Sequence, residues 1–247
     1  MDLMTRRRAL MARVESGGQL PEAYQAVEYL ESTGTQSINL GVYANQDSVM
    51  ISDVLFVKSN QSFYYGGGTA YGSKTFECYF WNPNLQFNEW GSTIYLSGSD
   101  VPNNIRATIY HSLNRYALTY AGGDVSREET FTSTFQTEYP VHLFALNRQS
   151  GVAYGKARIY GAEFYQGQTI VRKCIPCYRK SDDKPGMYDL VSETFLTNAG
   201  TGEFLVGPDV IDSISPWMVA RRRMLIGDQN KLILYANGNE HTAITGG

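Results

Sequence analysis

The sequence has few of the residues on which catalysis and metal binding most often depend. It carries three histidines and three cysteines in 247 residues. His111 and His142 sit in strand-like segments, where a structural role is commoner than acid–base work, and no Gly-x-Ser-x-Gly turn presents a nucleophile. Cys174 and Cys177 have Cys-x-x-Cys spacing, but they end an apolar strand-like run instead of opening a helix. No second Cys or His pair supplies the remaining ligands of a zinc site. All three thiols, Cys78 included, therefore read as buried or half-buried free cysteines. No disulfide framework, metal or cofactor is implied.

Charge is scarce as well. Asp, Glu, Lys and Arg make up 18% of the chain and leave a net charge of −3, which excludes the basic footprint of a nucleic-acid-binding protein. The arginines gather at the ends: residues 1–20 hold four Arg against one Asp and one Glu, whereas residues 21–207 hold thirteen basic against eighteen acidic side chains. No apolar run approaches the roughly 20 residues of a membrane-spanning helix. The basic opening "MDLMTRRRALMARVESGG" has only "ALMA" where a secretory signal carries about 7 to 15 apolar residues. Neither a signal peptide nor a transmembrane segment nor membrane insertion is expected. A phosphate-cradling loop is also missing, since "YYGGGTAYG" is followed by neither Lys-Ser/Thr nor a helix. Its glycines read as a strand-end loop that lets backbones approach closely.

What the chain does have is aromatic and β-branched residues in short runs. Hydrophobic residues are 43% and aromatics 13% of the total, with 24 glycines. From Tyr24 onward, segments rich in Val, Ile, Thr, Tyr and Phe are punctuated by Gly, Asn, Ser and Pro. Strands are predicted near 26–30, 36–42, 49–57, 62–66, 75–81, 92–96, 104–110, 115–120, 130–135, 141–146, 156–165, 169–175, 186–190, 194–197 and 203–206. In "NIRATIYHSL", Ile105, Ala107 and Ile109 share one face and Arg106, Thr108 and Tyr110 the other. In "TFECYFW" both faces are apolar or aromatic, as in an inner strand between packed layers. Long interior helices are absent, which argues against folds that need helical crossovers. The fold class predicted is all-β, an antiparallel two-sheet jelly-roll sandwich.

Three regions follow. Residues 1–19 form an N-terminal helical assembly segment, with Leu3, Leu10, Met11 and Val14 on one face of a helix over 3–15; it is too short to be stable alone. Residues 20–207 are the sandwich. Residues 208–247 are an appendage: "SPWMVARRRMLIG" starts like a helix, and "KLILYANGNEHTAI" reads as a hairpin around an Asn-Gly turn. The runs "RRRAL" and "RRRML" make Arg6, Arg7, Arg8 and Leu10, with Arg221, Arg222 and Arg223, the candidate assembly residues.

"LPEAYQAVEYLESTGTQSINLGV" (20–42) resembles the start of a recurrent group of bacteriophage and prophage minor tail or structural proteins. "KARIYGAEFYQGQTIVRKCIPCYRKSDDKPGMYDLVSETFLTNAGTGEF" (156–204) resembles their closing segment, with "IPC", then "GMYD", then "TNAGTGEF" in the expected order. That group is similar to concanavalin A-like, laminin-G-like jelly rolls, in which the first and last strands lie side by side. The residues suit such a joint: Thr33, Thr35, Thr197 and Thr201 can close turns through their hydroxyls, and Gly34, Gly200 and Gly202 can take positive φ.

The resemblance implies glycan binding on a sheet face or in rim loops. The region best suited to it is 62–95, where Tyr64, Tyr65, Tyr71, Trp81, Trp90 and Tyr95 are interleaved with Asn82, Asn84, Gln86 and Asn88. Aromatic rings stack on the C–H faces of sugars and amides satisfy their hydroxyls. The candidate contacts are Tyr64, Tyr65, Tyr71, Trp81, Asn82, Asn88 and Trp90; in the alternative, Trp81 and Trp90 are core residues. Some relatives of this fold bind calcium or hydrolyse glycosides, but "SDD" (181–183) and "GGD" (122–124) hold too few ligands to define a calcium site. Glu28, Glu31, Glu77, Glu89, Glu128 and Glu129 lack the Glu-x-Asp-x-x-Glu spacing of the glucanase relatives, so no catalytic residue is assigned. The function expected is that of a phage virion structural protein of tail, baseplate or fibre, assembled in the host cytoplasm. Its partners would be other virion proteins, copies of itself, most simply as a trimer, and a host-surface glycan. A bacterial lectin-like module is the alternative.

Overall fold

The computed structural model describes residues 20–69, 74–89, 92–132 and 134–210, together with two strands at 234–236 and 239–241. Apart from one 3-10 turn at Gly98–Asp100, the regular elements among the described residues are strands, and no helix there is long and apolar enough to cross a membrane.

The first sheet runs β11 (Gly123–Glu128), β10 (Arg115–Tyr120), β9 (Ile105–Ser112), β4 (Ser48–Phe56), β15 (Arg158–Gln166), β16 (Thr169–Arg179), β17 (Lys184–Asp189) and β18 (Thr194–Thr197). Three short strands join it: β1 (Tyr24–Ala26) on β16, and β2 (Leu30–Glu31) between β15 and β19 (Leu205–Val206). The second sheet runs β14 (Gly151–Tyr154), β13 (Ala145–Arg148), β5 (Phe63–Gly68), β6 (Thr75–Trp81), β7 (Asn84–Glu89) and β8 (Ser92–Ser97), with β12 (His142–Leu143) bridging β5 and β3 (Ile38–Asn39). Among these pairings only β13 on β5 is parallel. The architecture is thus the expected all-β, antiparallel, jelly-roll-like sandwich.

Period-2 alternation builds its core. Ala107, Ile109 and His111 of β9 and Met50, Val54 and Phe56 of β4 are buried, where they meet Phe76, Cys78 and Phe80 of β6 from the opposite sheet. Phe56 and Phe80 pack edge to face at 5.8 Å, Phe76 and Phe164 at 6.1 Å, and Phe76 stacks flat on His111 at 3.9 Å. Aromatic contacts of this kind add about 0.5–1.5 kcal/mol each beyond area burial. Inside this layer His111 Nε2 lies 3.2 Å from Glu89 Oε2, and the Tyr116 hydroxyl lies 2.9 Å from the same oxygen.

The two threonine-glycine motifs, "ESTGTQ" and "TNAGTG", close the sandwich against each other. Thr201 N–H donates to the Thr35 carbonyl at 2.8 Å, and Thr35 Oγ1 donates to the Thr201 carbonyl at 2.9 Å. Asn198 Oδ1 accepts from Ser37 N–H at 3.0 Å and from Gly200 N–H at 2.8 Å. Buried Gln36 organises the first loop, its Oε1 accepting from Thr33 N–H at 2.9 Å and from Ser32 Oγ at 3.1 Å. Gly34 and Gly202 take positive φ as expected. Gly200 does not; it is glycine because a Cβ there would stand 2.1 Å from the Thr35 carbonyl oxygen. The pairing of chain ends continues beyond 207, through Glu28 N–H to the Pro208 carbonyl and Val210 N–H to the Ala26 carbonyl, so the sandwich extends to Val210.

An ionic and aromatic ladder ties these end strands to the sheet. Arg106 binds Asp53 through Nε (2.9 Å) and Nη2 (2.7 Å) and lies 4.0 Å over the ring of Tyr160. Tyr160 meets Tyr29 edge to face at 5.5 Å. Arg158 lies 4.0 Å over Tyr29 and binds Glu31 at 2.6 Å.

Several sequence expectations shift. No strand forms over 130–135 among the described residues; the segment is a loop pinned at Gln136, which bridges to Asn45, and by Thr137 N–H donating to the Ala44 carbonyl. Strands β7 and β11 escape the composition reading because polar residues fill their outward positions, Asn84, Gln86 and Asn88 in β7 and Asp124, Ser126 and Glu128 in β11, and β14 escapes it because it is only four residues long. The glycines of "YYGGG" lie within β5, not in a strand-end loop, though close approach is their reason: a Cβ on Gly67 would stand 2.7 Å from the Tyr139 carbonyl oxygen. Beyond Val210, β20 (Leu234–Ala236) and β21 (Asn239–His241) pair as a separate antiparallel hairpin flanking Asn237-Gly238, as the sequence predicts. The expected helix over 3–15, the helix-like stretch after Ser215 and all seven candidate assembly residues lie outside the described residues.

Candidate functional site

Strand β6 alternates in the sandwich: Phe76, Cys78 and Phe80 face the core, and Glu77, Tyr79 and Trp81 face the other way. The expectation that both faces of "TFECYFW" lie between packed layers is therefore corrected. The outer face is open, and Trp81 is 52% exposed, which also removes Trp81 from the core.

Register carries this face across four strands. Phe63 of β5 stands opposite Tyr79 of β6, Tyr79 opposite Gln86 of β7, and Gln86 opposite Tyr95 of β8. The Phe63 and Tyr79 rings meet edge to face at 5.9 Å. Leu146 and Arg148 of β13 and Ala153 of β14 raise a wall beside them, and with Phe63, Tyr79, Trp81 and Gln86 they enclose a groove of about 250 Å³.

Beneath the groove is a fixed polar floor. Arg148 binds Glu77 through two parallel bonds, Nε to Oε1 and Nη2 to Oε2, both 2.6 Å, and the Glu77 carboxylate is fully buried. Two-pronged pairs of this kind are the strongest and most directional of ion pairs. Asn88 Nδ2 lies 3.0 Å from both Glu77 Oε2 and the Tyr79 hydroxyl, so one amide orients the carboxylate and the phenol. Gly66 makes room for this floor, since a Cβ there would stand 2.8 Å from Leu146 and 2.9 Å from Glu77. Burial raises the pKa of Tyr79 above its ordinary value, and its hydroxyl stays a neutral donor. Gln86 engages no described residue through its amide.

Of the residues expected to contact glycan, Trp81 lines the groove and Asn88 braces it from behind. Tyr64 and Tyr65 do neither: both are 0% exposed. The register of β5 against β6 slips between Phe63 and Tyr65, and this bulge inserts Tyr64 as an extra residue. Phe63 is left outside while the next two rings turn into the core. The Tyr64 hydroxyl accepts from Val57 N–H at 3.2 Å, and Tyr65 packs beside Phe76 and His111. Asn82 is exposed at the β6–β7 turn, where its N–H donates to Asn60 Oδ1 at 2.7 Å, away from the groove lining. Tyr71 and Trp90 lie outside the described residues. Tyr79 and Gln86 were readable from the alternation of β6 and β7, but Leu146, Arg148 and Ala153 come from a distant segment that carries no local signal.

The carboxylates do not converge. Glu77 faces the groove floor and Glu89 the interior, on opposite faces of one sheet, and Glu31 is paired with Arg158. Among the described residues, no three His, Cys, Asp or Glu side chains cluster as metal ligands. Cys174 is a core residue, and Cys177, three positions on in β16, turns to the other face; both are buried and free.

No protein-family model matches the chain. No curated protein matches it either.

Proposed function

We propose that the chain is a bacteriophage virion structural protein, a tail, baseplate or fibre component, whose sandwich serves assembly contacts, attachment to a host-surface glycan, or both. The observation that carries this reading is the joint between "ESTGTQ" and "TNAGTG". The two segments on which the resemblance rests are 166 residues apart between Thr35 and Thr201, yet they form one hydrogen-bonded unit. A concanavalin A-like jelly roll closed by its own ends is the arrangement that the resemblance implies.

Two further features support it. The described chain enters and leaves the sandwich from neighbouring positions on the first sheet, with Tyr24 paired to Arg179 and Val210 bonded to Ala26. Segments 1–19 and 211–247, which flank the sandwich in the sequence, each carry an Arg triplet. The groove on the second sheet combines the exposed ring of Trp81 and the half-buried rings of Phe63 and Tyr79 with an amide, that of Gln86, that engages no described residue, the chemistry a saccharide requires. With Glu77 and Glu89 on opposite faces, the reading assigns no hydrolytic pair, which would have to flank one bond.

Mass photometry of the full chain beside residues 20–210 tests the proposal. A discrete oligomer, a trimer in the simplest case, for the full chain and a monomer for the trimmed one is the expected result, because virion appendages are symmetric assemblies. Two monomers would overturn the assembly role and leave the second reading, a lectin-like module, which the groove favours independently of assembly.

A further inference from the structure

The groove over β5, β6 and β7 is specific enough in shape and charge to name a ligand class. We infer that it takes a single neutral hexopyranose ring, with the apolar face of the sugar on Trp81 and its hydroxyls on Gln86 and Tyr79. This inference deepens the glycan-attachment part of the function proposed above and rests on it.

Size sets the first limit. Pockets for drug-sized ligands span about 300–1,000 Å³, and this groove, at about 250 Å³, is smaller, so it accommodates one ring of a longer glycan. Polarity sets the second. An uncharged sugar presents axial C–H groups on one face and hydroxyls, each both donor and acceptor, around its edge. Trp81 offers a large exposed ring for the first, and the Gln86 amide, with two donors and an acceptor, can engage two adjacent hydroxyls. The Tyr79 hydroxyl sits within reach of the Asn88 Nδ2 donor and so has its own proton to give.

Charge decides between neutral and acidic sugars. The cation in the lining is Arg148, which is held on the buried Glu77 carboxylate by two parallel bonds of 2.6 Å. A uronate, sialate or phosphorylated sugar would bring a second anion beside Glu77 and would have to break that pair to find a counter-charge. Removing one partner of a buried ion pair is strongly unfavourable. A neutral ring makes no such demand.

The experiment is saturation-transfer NMR on the full chain with methyl glycosides of glucose, galactose, mannose and N-acetylglucosamine, set beside glucuronic acid and N-acetylneuraminic acid. It is repeated with Trp81→Ala, Gln86→Ala and, as a surface control away from the groove, Val191→Ser. The expected result is millimolar binding of at least one neutral glycoside, weakened about tenfold or more by Trp81→Ala and Gln86→Ala and unchanged by Val191→Ser. Thermal melting checks that both groove variants remain folded. Preference for the acidic sugars would overturn the inference while leaving the glycan reading in place. So would neutral binding that survives both groove variants, which would put the site elsewhere. No binding of any saccharide would overturn both the inference and the glycan part of the proposed function, and the assembly part would then stand on mass photometry alone.

Discussion

Thr35 and Thr201 exchange two hydrogen bonds across 166 residues of chain, one through the Thr35 hydroxyl and one through backbone. The joint is tight enough that Gly200, beside Thr201, has no room for a side chain. Its added Cβ would lie 2.1 Å from the Thr35 carbonyl oxygen, a backbone atom that cannot step aside without breaking the joint.

Gly200→Ala is accordingly expected to destabilise the sandwich by about 3 kcal/mol, the upper range of overpacking. Gly167→Ala is the control: its φ is +59° but nothing stands within 4 Å of the added Cβ, so only the left-handed strain of about 1 kcal/mol applies. Urea unfolding of the two variants measures the difference. Equal midpoints would show that the joint does not hold the ends of the sandwich together.

The ladder on the first sheet contains two arginine–carboxylate pairs with different surroundings. Asp53 is 3% exposed in its side chain and Glu31 33%. Arg106→Ala leaves a buried carboxylate without its guanidinium and is expected to cost about 2–3 kcal/mol. Arg158→Ala removes a half-exposed pair and is expected to cost less than about 1 kcal/mol. The order of the two unfolding midpoints checks this, and a larger loss for Arg158→Ala would contradict it.

His142, buried on β12 with Nδ1 3.2 Å from Ser37 Oγ, has its pKa lowered by burial to about 4. Between that value and the ordinary 6.5, the unfolded chain binds a proton that the folded chain refuses. Stability contributed by the neutral ring is therefore complete above pH 6.5 and declines as pH falls towards 4, by on the order of 3 kcal/mol. Thermal melts from pH 7 to pH 4.5 should show the decline, and His142→Gln should flatten that part of the profile. A parallel decline in the variant would assign the acid sensitivity to other groups.

The three thiols are buried and free. Burial raises all three pKa values, that of Cys177 to about 12, and only the thiolate is an effective nucleophile. Native protein at pH 8 should react with a disulfide reagent far more slowly than unfolded protein, which should release three equivalents. Rapid native labelling of Cys174 and Cys177 would revive a redox reading of the Cys-x-x-Cys pair.

Much of this protein is legible in its sequence, because the signals involved are local. Alternation in "NIRATIYHSL" assigns Ala107 and Ile109 to the core, Asn237-Gly238 marks a hairpin, and Thr-Gly clusters mark the loops that close the domain. These follow from two facts that hold for any strand: side chains alternate in direction, and glycine tolerates what other residues do not. The outcomes that only the tertiary structure decided are those set by register and by partners distant in sequence. A single inserted residue in β5 turned Tyr64 and Tyr65 into the core and left Phe63 outside. Because no second layer of described residues covers the outer face of β6, Trp81 is exposed, where composition favoured a place in the core. The groove formed when β13 and β14 brought Arg148, Leu146 and Ala153 beside Tyr79. Sequence fixes which faces a strand can offer; what stands opposite each face depends on pairings across more than sixty residues, and those are selected by the packing of the whole sandwich.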